Sequence, residues 1–496
     1  MATAQHAEAA PAPDTGGATA PRPGRGPRGP LPALATTVLV AVAVKLVFGP
    51  WYLNYDARYA LLWARDISRG LTPDYQAAYA PTPHPLSTAW SVLALPFGES
   101  GDRVIVWLTL LAFGALVYLA YRLGAELFSP AVGVVTALVV LTRPALIRDT
   151  VLGYQDLPFA CLVVGAVIAE ARRPKRGTLV LVLLAIAGLL RPEAWVLAGL
   201  YWLYLFRERG WADRLRFAAL VAVGPVAWLL MDLAVTGDAL HSLHGTSALA
   251  ETAGRRRHLD QVPYWTAQYF GYVLREPLLV AIPLGLWFAW RRRLRAALLP
   301  LGVAAAMVVV FAVNPVFGLP LIGRYVRTPS VLLAVFAGLA VCGWLLLRRD
   351  DPGRRAWQVV AAVAVLASVV YLPWHARLLQ AQETRVDRNG ELYAGLRDVA
   401  HSPRVRAAMR ACGGRIAASD HRPVPYLRHW LGTDPGSVVT LEGGTGTARV
   451  LVTPRDGRIA RFFYRTNFPS SFRAPPGYRT ILRAPGWRVL ADPACV

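Results

Sequence analysis

Five groups of polar residues interrupt a largely apolar chain, and their residue types limit the chemistry each could perform. Asn54-Tyr55-Asp56-Ala57-Arg58-Tyr59 sets one carboxylate among aromatics directly after the first long apolar run. Asp56 there suits a general base, because an acceptor hydroxyl must lose a proton as its new bond forms. Tyr55 and Arg58 join it as candidates, although the group also reads as an interfacial aromatic belt with a solvated aspartate. A second group contains Arg143-Pro144, Arg148-Asp149 and Asp156. Placed seven apart on one helix, Asp149 and Asp156 would share a face. One could then reach a cavity while the other supports it, or both could hold a divalent metal. Arg143 and Arg148 could grip phosphate by paired hydrogen bonds, and the alternative is an Arg–Asp pair that caps a helix.

The third group, Leu190-Arg191-Pro192-Glu193-Ala194-Trp195, sets Arg191 and Glu193 at a turn, as site residues or as a structural salt bridge. In the fourth, Gly323-Arg324-Tyr325-Val326-Arg327-Thr328-Pro329, Arg324 and Arg327 beside Tyr325 suit a polyprenyl-phosphate leaving group whose charge grows in the transition state. His84, in Pro81-Thr82-Pro83-His84-Pro85-Leu86, could coordinate a metal or bind a donor phosphate, or be structural. A further stretch with His241, His244 and Arg255-Arg256-Arg257-His258 is basic enough to favour an anionic ligand such as a lipid phosphate.

These residues must be positioned by membrane helices. Of 496 residues, 55% are hydrophobic and 17% charged, against about 25% charged in a soluble chain. The apolar residues gather into runs close to the ~20 residues that cross a bilayer. Eleven spans are expected, at 31–50, 103–122, 130–147, 150–170, 178–190, 193–206, 217–235, 274–290, 296–313, 329–347 and 356–373. The two near 178–206 are short enough to be tilted. Basic clusters at Arg22/Arg25/Arg28, Arg122, Arg172–Arg176, Arg207–Arg216, Arg291–Arg295 and Arg348–Arg355 all fall on one side. The positive-inside rule makes that side cytoplasmic. The formal charge of +23 therefore reads as topology and not as nucleic-acid binding. Long loops at 51–102 and 236–273 lie on the outer side, the expected working face.

Residues 1–30 are rich in Ala, Pro and Gly and are expected to be a disordered cytoplasmic segment. The run that follows is expected to be a retained helix and not a cleaved signal. After residue 373 the apolar runs end and turn signals such as Gly413-Gly414, Gly443-Gly444 and Pro475-Pro476-Gly477 appear. A helix at Glu391–Ala411 and strands at Arg415–Ala418, Ser437–Leu441 and Ala448–Val452 make 374–496 a small extracytoplasmic α/β domain. Cys412 and Cys495 both lie there, and outside the cytoplasm they could form a disulfide. Lys45 and Lys175 are the only lysines among 53 basic residues, a bias that points to a GC-rich genome.

In sum the chain reads as an α-helical polytopic membrane protein, and its polar groups resemble those of the GT-C superfamily of integral membrane glycosyltransferases. The resemblance rests on Tyr55-Asp56 after span one, His84-Pro85-Leu86, the Arg148/Asp149/Asp156 cluster, the Leu-Arg-Pro-Glu-Ala-Trp turn and Gly323-Arg324-Tyr325. It covers residues 31–373 and looks nearest to bacterial relatives of protein mannosyltransferases and aminoarabinose transferases, including actinobacterial envelope enzymes. It implies inverting transfer of a sugar, mannose or arabinofuranose, from a polyprenyl-phosphate donor to a cell-envelope glycan, lipid or protein at the outer face of the plasma membrane. Asp56 would be the base and Arg324 a phosphate contact, with Arg148, Tyr325, Arg327 and His84 also on the donor side. Where the family often has two adjacent acidic residues, this chain has Asp56 followed by Ala57, which leaves a metal in doubt. A transporter or flippase of a lipid-linked sugar would instead call for internal repeats and helices broken at the bilayer midplane. A noncatalytic membrane scaffold would make the outer carboxylates dispensable.

Overall fold

The computed structural model describes residues 29–442, 448–464 and 475–496. The expected disordered segment, apart from its last two residues, and the Gly443-Gly444 turn lie outside these. Backbone amides in lipid have no water to bond, so long apolar runs must close their hydrogen bonds within helices. Among the described residues six helical stretches are long and apolar enough to cross a membrane: Pro30–Val47, Pro85–Leu127, Trp211–Thr236, Arg295–Phe317, Gly323–Leu346 and Arg354–His401. Two bent pairs bring the number to eight: Pro130–Leu141 with Pro144–Val151, at 59°, and Leu259–Leu274 with Leu278–Arg291, at 99°. Each bend falls at a proline, Pro144 or Pro277, which cannot continue the preceding hydrogen-bond ladder. Helices Asp156–Arg172, Thr178–Gly188 and Glu193–Phe206 fill the remaining expected places. With 11 and 14 residues, the last two span about 17 and 21 Å, short of the ~30 Å hydrocarbon core.

One helix is the bundle's centre. From Arg327 to Ala340 nearly every residue is buried, and neighbours approach it closely. A Cβ at Gly285 would stand 1.8 Å from the Phe336 carbonyl oxygen, so only glycine permits that contact. The reading of Asp149 and Asp156 on one helix face is corrected here. Asp149 belongs to Pro144–Val151 and Asp156 opens Asp156–Arg172, with a turn at Gly153 (φ 70°) between them.

Segment 51–102, expected on the outer side, is helical in large part, through Tyr55–Ser68 and Pro85–Ser91. The border placed between 373 and 374 falls inside one continuous helix, Arg354–His401, that carries the last apolar span directly into the C-terminal domain. That domain has strands β1 (Ile416–Ala418), β2 (Val438–Thr440), β3 (Val450–Pro454), β4 (Arg479–Ala484) and β5 (Trp487–Ala491), in the order β2-β1-β3-β5-β4. β1 is parallel to β2 and β3, while β5 runs antiparallel to β3 and β4. Cys412 and Cys495 are joined, tying helix Pro403–Ala411 to the end of the chain.

Buried polar contacts dock the domain on the outer segment. Arg428, 1% exposed, donates to Asp66 at 2.6 Å and Asp74 at 2.8 Å. The Tyr426 hydroxyl donates to the Leu53 carbonyl at 2.7 Å. Helix Gly101–Leu127 relates the two ends of the molecule. Near its start Asp102 accepts from Arg58, and near its end Glu126 accepts from Arg122 and Arg172. The domain and the outer segment therefore share one side, and the basic cluster around Arg172 lies at the other.

Candidate active site

Asp56 owes its place to the residue two before it. Asn54 caps helix Tyr55–Ser68, its side-chain oxygen accepting from the amides of Asp56 and Ala57 at 2.9 and 3.1 Å. Its amide and its side-chain nitrogen both donate to the Leu152 carbonyl, at 2.8 and 2.9 Å. The helix start is thus pinned to the turn that separates Asp149 from Asp156. In the first turn the Asp56 carboxylate meets the positive end of the helix dipole and is ion-paired with Arg324. Burial opposes its charge, but Arg324 and more distant cations hold its carboxyl below the usual carboxylate range.

Arg324 sits in the short turn Gly323–Val326 that opens the central helix. A Cβ at Gly323 would press 2.9 Å from the ring of Tyr269, whose hydroxyl donates to Leu321 at 2.9 Å, so glycine lets this turn lie against that tyrosine. Three residues on, Arg327 Nε donates to Asp149 Oδ2 at 2.8 Å, while Arg148 donates to Asp149 Oδ1 at 3.0 and 2.6 Å. Asp149 is fully buried and holds both arginines in place.

Together they border a cavity of about 680 Å³. Arg148, Arg255, Arg324, Arg327, Arg385 and Arg422 line it, and Asp56 is the carboxylate among its lining residues. Six guanidinium groups around one carboxylate make a site for an anion. The lining is also aromatic, with Trp265, Tyr269 and Tyr272 from a single helix and Tyr55, Tyr154, Tyr325 and Tyr393 from elsewhere in the chain.

The other expected residues fall behind this surface. Asp156 and Glu193 both accept from Arg191, and the guanidinium lies over the ring of Tyr325 at 4.6 Å. Asp156, Arg191 and Glu193 are thus one buried cluster that backs Tyr325. The expectation of a metal between Asp149 and Asp156 is corrected, because arginines occupy both oxygens of Asp149 and one of Asp156. His84 does not line the cavity: it packs edge-on to Trp228 at 5.2 Å, and burial together with Arg324 pushes its pKa down to about 3. It is neutral at ordinary pH and is no cationic phosphate contact. Arg58 is corrected too: fully buried, it turns toward Asp102, Tyr426 and Trp430. Arg143 donates to the Val139 and Leu274 carbonyls, a structural tie.

Among the described residues, Asp420, His421 and Glu442 could offer metal ligands, their donor atoms lying within 4.8 Å of one another. His421 is hydrogen-bonded to Glu442 at 2.6 Å. The residues that the sequence reading missed are Arg385, Arg422, His421 and, of the aromatic lining, Tyr154, Trp265, Tyr269, Tyr272 and Tyr393. Only the aromatic lining left a signal, in the helical spacing of Trp265, Tyr269 and Tyr272.

By sequence the chain matches no protein-family model and no curated protein. By structure it is similar to ArnT from Cupriavidus metallidurans bound to undecaprenyl phosphate, at TM-score 0.53 and 17% identity over 93% of this chain and 98% of that one. It is also similar to the archaeal oligosaccharyltransferase AglB from Archaeoglobus fulgidus, in complex with an inhibitory peptide and a dolichol-phosphate. There the TM-score is 0.55 and the identity 12%, over 87% of this chain and 70% of that one. A second structure of the Archaeoglobus fulgidus oligosaccharyltransferase, with zinc and sulfate, aligns at TM-score 0.51 and 14% identity over 87% and 69%. The chain has the polytopic GT-C fold of these proteins, with a small C-terminal sheet.

Proposed function

We propose that this protein transfers a sugar from a polyprenyl-phosphate donor to a hydroxyl of a cell-envelope acceptor at the outer face of the plasma membrane, with inversion at the anomeric carbon. The observation that carries the reading is a single carboxylate, Asp56, set among six arginines in one cavity. The fold supports it, since ArnT binds undecaprenyl phosphate and AglB a dolichol-phosphate on the same architecture.

In the reaction an acceptor oxygen attacks the anomeric carbon while the bond from that carbon to the phosphate oxygen breaks. Asp56 takes the acceptor's proton, and the polyprenyl phosphate leaves with one more negative charge than it had as a diester. Arg148, Arg324 and Arg327 meet that growing charge, an interaction stronger in the transition state than in the ground state and therefore catalytic. Arg324 touches Asp56 as well, so it couples the basic and the leaving-group sides. Asp149 keeps two of the arginines aimed, at no cost in reorganisation during the reaction. The donor sugar is mannose or arabinofuranose, and the acceptor a glycan, lipid or protein of the envelope.

Full-length protein in nanodiscs, given undecaprenyl-phosphate mannose or arabinofuranose with envelope extracts, should release undecaprenyl phosphate and label an acceptor. Donor that crosses a vesicle membrane unconsumed would instead establish a transporter.

A further inference from the structure

Beside the arginine-lined cavity is a second, open hollow of about 380 Å³, bordered by residues 75–83 and helix His241–Thr252. The two hollows share Tyr79, Pro81, Thr82, Thr246 and Leu249, so they meet across a common rim. Thr82 and Thr246 are hydrogen-bonded across it, joining the outer segment to the helix. Tyr79 holds a left-handed backbone conformation (φ 63°) that is uncommon for a residue with a side chain. Its carbonyl accepts from the Tyr55 hydroxyl at 2.9 Å, and its ring stacks on His421 at 4.4 Å. Such a conformation persists where its surroundings fix it, and here it fixes the partition beside the neighbour of Asp56.

The two sides of the partition differ in charge. Among the described residues six arginines line the first cavity and none lines the second, where Gln76, His241, Ser242 and Thr252 supply polar groups and Glu442 a carboxylate. A wall whose described residues include a carboxylate and no arginine or lysine disfavours phosphate or carboxylate ligands by like-charge repulsion. Glu442 already meets His421 at one oxygen, and a carboxylate can accept more than one hydrogen bond, so a sugar hydroxyl can join it; the volume lies in the range of small-ligand sites.

We propose that the second hollow is the acceptor subsite, and that it takes a neutral, polyhydroxylated group, the sugar end of a glycan or glycolipid, and excludes phosphorylated or carboxylated acceptors. The assignment rests on the transferase reading above. The charge difference then sorts the substrates: the anionic donor head goes to the arginines, and the neutral acceptor reaches Asp56 across the rim.

The test uses full-length protein in nanodiscs and three probes: undecaprenyl phosphate, a panel of neutral disaccharides (mannobiose, arabinobiose, galactobiose), and mannobiose 6-phosphate. Gly245→Leu adds bulk from a helix position where a new Cβ would meet only the His241 ring, at an ordinary 3.6 Å. Its expected effect is at least a tenfold loss of affinity for the disaccharide bound by wild type, with the Kd for undecaprenyl phosphate unchanged. Gly245→Ala should retain both. Glu442→Gln should improve binding of mannobiose 6-phosphate at least threefold. Wild-type protein that binds the phosphorylated disaccharide as tightly as the neutral one would overturn the proposal. So would undecaprenyl phosphate binding with no disaccharide bound, and that outcome would leave the transferase reading intact. Failure to bind undecaprenyl phosphate would refute the transferase reading itself.

Discussion

Replacing Arg324 by glutamine should change the enzyme in two separable ways. Glutamine keeps much of the length and removes the charge that faces Asp56. Two unit charges about 4 Å apart interact by about 4 kcal/mol at an effective dielectric near 20. Both side chains are 25% exposed, so water screens part of this, and the carboxyl of Asp56 is expected to titrate higher in the variant. The sign follows from the environment. Arg324 holds the Asp56 carboxyl below its usual range against the opposing effect of burial. Without the cation, burial is left and pushes the pKa up. The base acts only when deprotonated, so activity is lost as pH falls through that pKa, and the acid limb of kcat/KM should move to higher pH in the variant. The plateau above it should also drop, by about 10²- to 10³-fold, because a contact to the leaving phosphate is gone. Transfer rates across a pH series in nanodiscs measure both. A plateau that falls while the acid limb stays where it was in wild type would show that the titrating group is not Asp56.

Other expectations rest on other contacts. Asp149→Asn releases Arg148 and Arg327 from their shared carboxylate and should lower kcat about 10²-fold; a kcat within twofold of wild type would mean that the arginines are aimed by something else. Arg428→Met leaves Asp66 and Asp74 without their buried cation, which costs about 3–5 kcal/mol. It should lower the Tm and expose the C-terminal domain to limited proteolysis, whereas an unchanged digestion pattern would argue that other contacts carry the docking. Changing Cys412 and Cys495 to serine opens a loop of 83 residues. It should destabilise the domain by about 2–4 kcal/mol, seen as lower thermal stability of the full chain under non-reducing conditions.

Much of the bundle was legible because lipid leaves few options for an apolar run, and each of the eleven expected spans contains helix, although among the described residues six, or eight with the bent pairs, are long and apolar enough to cross. The bends were less legible. Pro144 sits at the first position of a helix, where proline is also ordinary, so the sequence does not distinguish a break from a start, and Asp149 and Asp156 were placed on one face. Asp56 could be found because a lone acid beside a membrane helix end is costly and calls for an explanation. Arg324 and Arg327 could be found for the same reason. Arg58 and His84 could not be sorted from them, because whether a side chain faces a cavity or a buried partner depends on tertiary contacts far along the chain, such as Asp102, Tyr426 and Trp228. Arg385 and Arg422 belong to the helix and domain that close the site from above, and neither stands in a local pattern that would mark it. The division of the hollow into an arginine-lined and an arginine-free half arises only when segment 75–83, helix His241–Thr252 and Glu442 come together.

The central claim is that Asp56 takes the acceptor's proton in a cavity whose arginines bind the donor phosphate. Transfer by Asp56→Asn, measured beside its Kd for undecaprenyl phosphate, tests it most directly. At least a 10²-fold loss of transfer is expected, the scale of a lost general base, with undecaprenyl phosphate bound as tightly as by wild type or more so, since a negative charge has left the site. Full transfer by Asp56→Asn, with the phosphate bound normally, would contradict it.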